Sequence, residues 1–207
     1  MKRKPLINKY RQGKFKQRIK IVLECYDGNV LSKAWYYNSN GICIKESERL
    51  NVPLDRFIGI VAALSPMCSW DDNIRQACQV IESDKPELVK VTTYGPNLVK
   101  AIKIKQGAEP LDILGGNKVR SFYDNLLDPE TSNKVCIDTH ILNCLHGRIL
   151  TDKEKCLFFK SPRYQVIERI INNEALRYGY KGHELQAILW VTWKGLINSR
   201  SSGLEPF

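Results

Sequence analysis

Leu114-Gly115-Gly116-Asn117-Lys118-Val119-Arg120-Ser121-Phe122 and, downstream, Val135-Cys136-Ile137-Asp138-Thr139-His140 decide how this chain is read. Val119, Phe122, Tyr123 and Leu126 recur at helical spacing, so a helix is predicted over 118–127, opened by the glycine pair and broken by Asp128-Pro129-Glu130. Glycines ahead of a helix let backbone N–H groups come close to a phosphate. Lys118 sits in that helix's first turn. Twenty residues on (138 − 118), Asp138 follows a short apolar run and precedes Ile141, Leu142, Cys144 and Leu145, where another helix should begin. A lysine and an aspartate near such a site supply one nucleophile and one acid/base or electrostatic group.

The chain has 207 residues, enough for one domain or two small lobes with a real core. A formal net charge of +10 points to a polyanionic partner, nucleic acid ahead of a membrane surface. No apolar run is long enough for a transmembrane helix. Met1-Lys2-Arg3-Lys4-Pro5 is basic but leads into no signal-type apolar core, so a cytoplasmic location is expected. The seven cysteines are odd in number, widely spaced and without a C-x-x-C pair, which disfavours a zinc ribbon or a compact iron–sulfur loop and predicts reduced thiols. No metal site is expected.

Helical periodicity dominates and alternating strand patterns are weak, which predicts an all-α chain. A helix after Pro53 carries Phe57, Ile58, Ile60, Val61, Ala62, Ala63 and Leu64 almost all round its axis, as a buried helix does, and should stop at Ser65-Pro66 because the residue before proline is pushed out of the helical region. Ser69 or Asp71 caps the next helix, and Thr151 to Glu154 has capping-box character. Further helices are read at 41–50, 97–105, from Ser161-Pro162 and over Leu185 to Trp193, with Gly179 to Gly182 a turn. Residues 1–20 hold many Lys and Arg, with Pro5 and Gly13 as breakers, and read equally as a DNA-touching arm or a solvated terminus.

A helix, a tight glycine-containing turn and a second helix bearing Lys118, followed by Asp138, resemble the helix-hairpin-helix DNA glycosylase superfamily. Its hairpin typically reads Leu-Pro-Gly-Val-Gly-x-Lys, then Val-Asp-x-His some twenty residues on. The matching residues here are Gly116, Lys118, Asp138 and His140. Leu64-Ser65-Pro66-Met67-Cys68-Ser69 is similar to the family's Leu-Ser-Gln-Gln-Thr-Ser segment. The likeness extends to a divergent, phage-encoded branch through Ser65-Pro66, Trp70, Asn73, Gln186-Ala187 and Trp190. The resemblance implies a two-lobed helical fold with the active site in the cleft between lobes. One lobe would span 55–145, with the hairpin at about 107–127, and 1–54 plus 146–207 would form the other.

The resemblance also implies a base-flipping enzyme, because a base must leave the stack before chemistry can reach it. Gly115, Gly116, Asn117, Arg120 and His140 would hold DNA. Ser65, Met67, Trp70, Gln186 and Trp190 would line a base pocket, with Met67, Trp70 and Tyr94 as candidate wedges. Asp138 would stabilise an oxocarbenium-like sugar and orient or deprotonate a nucleophile, while also reading as an N-cap. Lys118 would attack C1′ and add strand-cleaving lyase activity, or else bind a phosphate. In the superfamily the hairpin carbonyls can hold a monovalent cation. The iron–sulfur cysteines that many members carry near the C-terminus are missing, the last being Cys156, so no cluster is expected. The chain is expected to act as a monomer. The leading expectation is a DNA glycosylase removing a modified or damaged base. Its competitors are a base-modifying transferase of thymine hypermodification on the same fold, and a non-catalytic DNA-binding module.

Overall fold

The computed structural model describes residues 7–201, and helices account for all regular structure among them. In order they are α1 (Lys9–Glu24), α2 (Val30–Lys33), α3 (Trp35–Arg49), α4 (Leu54–Leu64), α5 (Trp70–Glu82), a 3-10 turn (Pro86–Leu88), α6 (Gly95–Lys105), α7 (Pro110–Ile113), α8 (Asn117–Leu127), α9 (Thr139–His146), α10 (Asp152–Phe159), α11 (Ser161–Arg177) and α12 (Gly182–Ser201). The chain is all-α, as its periodicity predicts. No described helix is long and apolar enough to cross a membrane.

The chain divides into two units, one formed by residues up to Tyr36 and from Asn133 onward, the other by Tyr37–Ser132. These boundaries differ from the expected ones after 54 and 145. Residues of α3 past Tyr36 join the second unit through Asn40, whose Nδ2 donates to the Leu126 carbonyl at 2.7 Å, and Arg49, paired with Glu82 at 2.8 Å. Helix α9 belongs to the first unit because it packs on α1 and α12.

In the second unit α4 is central and packs on α5, α6, α7 and α8. Every residue from Phe57 to Leu64 is buried, which is why its apolar positions surround the axis. Gly59 is the point of closest approach: a Cβ there would lie 2.9 Å from the Pro110 ring carbons and 3.3 Å from Ile104 Cγ2. The helix does stop at Pro66, but not for the expected reason, since Ser65 keeps helical angles (φ −61°, ψ −27°). Pro66 has no N–H to offer the Ala62 carbonyl four residues back. The Ser65 hydroxyl donates to that carbonyl instead, at 3.0 Å.

In the first unit α12 packs on α1, α2, α9 and α11 over a core that includes Phe15, Ile19, Ile137, Leu142, Ile167 and Leu189. Residues 9–20 are therefore part of a packed helix and not a loose terminus. Phe15, Ile19 and Val22 recur at helical spacing and are buried, so the apolar stripe fixes a helix despite Gly13. Residues 1–6 of that segment lie outside the described residues. The predicted capping box is present: Thr151 caps α10, and the Glu154 side chain returns to the Thr151 N–H at 2.9 Å.

Candidate functional site

The predicted site residues fall in both units. Ser65, Met67, Trp70, Gly115, Gly116, Asn117, Lys118 and Arg120 lie in the second, and Asp138, His140, Gln186 and Trp190 in the first.

In the second unit, Gly107 ends α6 at φ +109°, and Pro110 starts the single turn of α7. Leu114 is buried, and Gly115 and Gly116 are exposed ahead of α8. Gly116 takes φ +77° with ψ 144°, a region only glycine enters readily, and as N-cap it offers the first turn no side-chain acceptor. Lys118 lies in that turn, half-buried. Arg120 faces back along the hairpin: Nε donates to the Leu114 carbonyl at 2.8 Å and Nη2 to the Leu111 carbonyl at 2.7 Å. The guanidinium thus braces the turn from within and covers two of its carbonyls.

Ser65 is committed to the Ala62 carbonyl, as above. Met67 is 75% exposed and adopts φ +63°, a left-handed conformation that costs a side-chain-bearing residue about 1 kcal/mol. The turn is held from α5. Ser69, not Asp71, is the N-cap. Buried Gln76 accepts from the Thr92 N–H at 2.9 Å, and the Thr92 hydroxyl donates to Cys68 Sγ at 3.1 Å. Trp70 opens α5, half-buried.

In the first unit the extended segment 133–137 delivers Asp138, and three residues of α11 hold it. Tyr164 donates its hydroxyl proton to the Val135 carbonyl at 2.7 Å and accepts from the Ile137 N–H at 2.9 Å. Glu168 accepts from the Val135 N–H at 3.1 Å, and Asn172 donates to the Asn133 carbonyl at 3.0 Å. Four residues of helix rise about 6 Å and two residues of extended chain about 6.6 Å, so side chains at i, i+4 and i+8 can meet backbone polar groups in succession along the segment. Gly182, the first residue of α12, leaves room for this segment: a Cβ there would come within 3.0 Å of Val135 Cγ2. Tyr164→Phe leaves a buried N–H and a buried carbonyl without partners and should cost about 2–4 kcal/mol. Thermal unfolding measures the loss, and hydrogen exchange at the Ile137 amide should quicken with it.

Asp138 is the N-cap of α9, as its sequence position suggests, with Oδ1 accepting from the Ile141 N–H at 2.8 Å. Its second oxygen is also engaged: Trp190 Nε1 donates to Oδ2 at 3.0 Å. The carboxylate is therefore oriented from two sides yet stays half-buried. The indole carries Lys194 Nζ 4.2 Å from its ring centroid, and the His140 ring meets it edge-on at 5.8 Å. His140 Nδ1 is buried without a hydrogen-bond partner among the described residues.

Gln186 is 6% exposed, and its Oε1 accepts from the Tyr36 hydroxyl at 2.8 Å, which ties it into the core. His183 is wholly buried and edge-on to Tyr36 at 5.4 Å. His146 packs between Phe15 and Phe158, and burial lowers its proton affinity. Burial likewise pushes the Cys144 thiol up to about 12, so it is no nucleophile. The described cysteines are all unpaired thiols.

The DUF7178 family model, described as a family of unknown function, matches residues 25–196. The chain belongs to this family. The DUF7178 match contains Lys118, Asp138, Trp190 and Lys194, and it begins just after α1. Neither the curated proteins nor the solved structures contain a match.

Sequence reasoning missed Lys194 and the ladder of Tyr164, Glu168 and Asn172. The four-residue spacing of the ladder was visible, but its partner is an extended segment some thirty residues away, which periodicity does not reveal.

Proposed function

We propose that this member of the DUF7178 family is a DNA base-flipping enzyme of the helix-hairpin-helix glycosylase type that hydrolyses the N-glycosidic bond of a modified or damaged base. The observation that carries this reading is the doubly oriented Asp138 carboxylate, held by the Ile141 N–H and the Trp190 indole in the Val-Cys-Ile-Asp-Thr-His segment. Each carboxylate oxygen accepts one hydrogen bond and keeps a further lone pair. A fixed negative charge of this kind favours an oxocarbenium-like sugar without reorganising as the reaction proceeds.

In the proposed reaction the C1′–N bond breaks and the base leaves with the electron pair and gains a proton. Water adds to C1′ and loses a proton toward Asp138. The exposed glycine pair and the uncapped first turn of α8 support backbone binding of a DNA phosphate. If the deprotonated Lys118 amine attacks C1′ in place of water, a Schiff base forms and lyase activity follows. Borohydride trapping on an abasic-site duplex tests this: a covalent adduct is expected, and it should disappear in Lys118→Gln. Neither adduct nor base release across damaged, hydroxymethylated and glycosylated duplexes would reject the glycosylase reading.

The Lys194 ammonium, reaching Asp138 through the shared indole, favours one second reading. A cation there suits the leaving pyrophosphate of an activated base, which fits a base-modifying transferase that keeps the glycosidic bond.

A further inference from the structure

Helix α1 carries Lys9, Arg11, Lys14, Lys16, Arg18 and Lys20 against the single acid Glu24. Its first turn contains no acid, so Lys9 and Arg11 sit at the positive end of the helix dipole, where cations are unfavourable. Gly13 is exposed, with no atom within 4 Å of the place a Cβ would take, and there costs about 1 kcal/mol relative to alanine. These choices do nothing for the helix, whose stability comes from buried Phe15, Ile19 and Val22 on the inner face. Local rules broken without a folding gain mark a surface kept for another purpose.

Part of the charge is spent inside the unit. Lys16 reaches Glu174 at 3.6 Å, Lys20 reaches Glu24 at 3.9 Å, and Arg18 donates to the Cys144 carbonyl at 3.2 Å. Among the described residues no acid lies within ion-pair distance of Lys9, Arg11 or Lys14. Lys14 Nζ sits 4.6 Å over the ring of Tyr10, which is 71% exposed.

We infer that the exposed N-terminal end of α1, through Lys9, Tyr10, Arg11 and Lys14, docks the phosphodiester backbone of duplex DNA. This rests on the DNA-binding part of the proposed function and adds a second phosphate-binding surface to the glycine hairpin. Cations interleaved with an exposed aromatic suit a phosphate-sugar edge. A membrane surface is the poorer fit, because Phe15, Ile19 and Val22 are turned into the core and Ile21 is the one aliphatic side chain of this helix left exposed, too little for an inserting face.

Fluorescence anisotropy of the full chain with a labelled duplex, from 50 to 200 mM salt, tests the inference. In the triple variant Lys9→Gln, Arg11→Gln and Lys14→Gln, affinity at low salt should fall at least tenfold, and the log–log salt slope should shrink by about 2 to 3. Circular dichroism should show the helix retained, since glutamine is a good helix former. An unchanged slope and affinity would overturn the inference, as would loss of binding to phosphatidylserine vesicles with DNA binding intact. Duplex binding through α1 without base release leaves the docking face standing and removes the glycosylase chemistry. A wild-type chain that binds no duplex removes both.

Discussion

Asp138→Asn should abolish base release while leaving the chain folded and able to bind DNA. Asparagine caps a helix about as well as aspartate, so the Ile141 N–H keeps its acceptor. The amide cannot accept from Ile141 and Trp190 at once, because one of its two heads is a donor, and the indole N–H loses its partner at a cost of about 1 kcal/mol. For a chain of this size that is a drop of about 2–4 °C in Tm. Loss of the negative charge should lower the chemical rate by about a hundredfold or more. Asp138→Ala removes the cap as well and should cost about 1–2 kcal/mol further. The pair separates two roles held by one side chain: a catalytic carboxylate makes both variants equally inactive but unequally stable, whereas a purely structural cap makes activity follow stability. Single-turnover base release beside thermal denaturation decides between them.

Gly59→Val should strongly destabilise the second unit. The ring of Pro110 lies 2.9 Å from where a Cβ would stand, and proline at the start of α7 has no rotamer by which to withdraw. Ile104 closes the other side at 3.3 Å. Alanine regains about 1 kcal/mol of helix propensity but overpacks the contact, for a net loss of about 1–2 kcal/mol. Valine adds two methyl groups against the same wall and should cost about 3 kcal/mol or more. Because α7 runs directly into Leu114-Gly115-Gly116, displacing it should also weaken the proposed binding of duplex DNA. Denaturant unfolding and anisotropy on the two variants measure both effects.

The parts of this molecule that were legible in its sequence are those decided within a few residues. Asp138, Ser69 and Thr151 with Glu154 start helices because a side-chain acceptor lies three residues from an N–H that needs one. Gly116 precedes α8 because its backbone angles exclude other residues. The parts that were not legible are closed by contacts across long stretches of chain. Trp190 reaches Asp138 across 52 residues, and Arg18 reaches the Cys144 carbonyl across 126. Neither leaves a local signature. Trp190 and Gln186 share a helix face, but that spacing does not reveal that Trp190 Nε1 donates to Asp138 or that Gln186 Oε1 accepts from Tyr36. Helix α1 was obscured by its charge: six cations and a glycine read equally as a DNA-touching arm or a solvated terminus, although Phe15, Ile19 and Val22 already carried the helical spacing.

Mass spectrometry of duplex DNA and of the released small molecules, after incubation with the wild-type chain and with Asp138→Asn, decides whether the Asp138 carboxylate drives glycosidic hydrolysis. Substrates should include damaged, hydroxymethylated and pyrophosphorylated bases, the last with amines present. Hydrolysis at C1′ should give a free base and an abasic site with the wild-type chain and neither with Asp138→Asn. A base that stays attached and gains a new group, or DNA that is unchanged on every substrate, would contradict it.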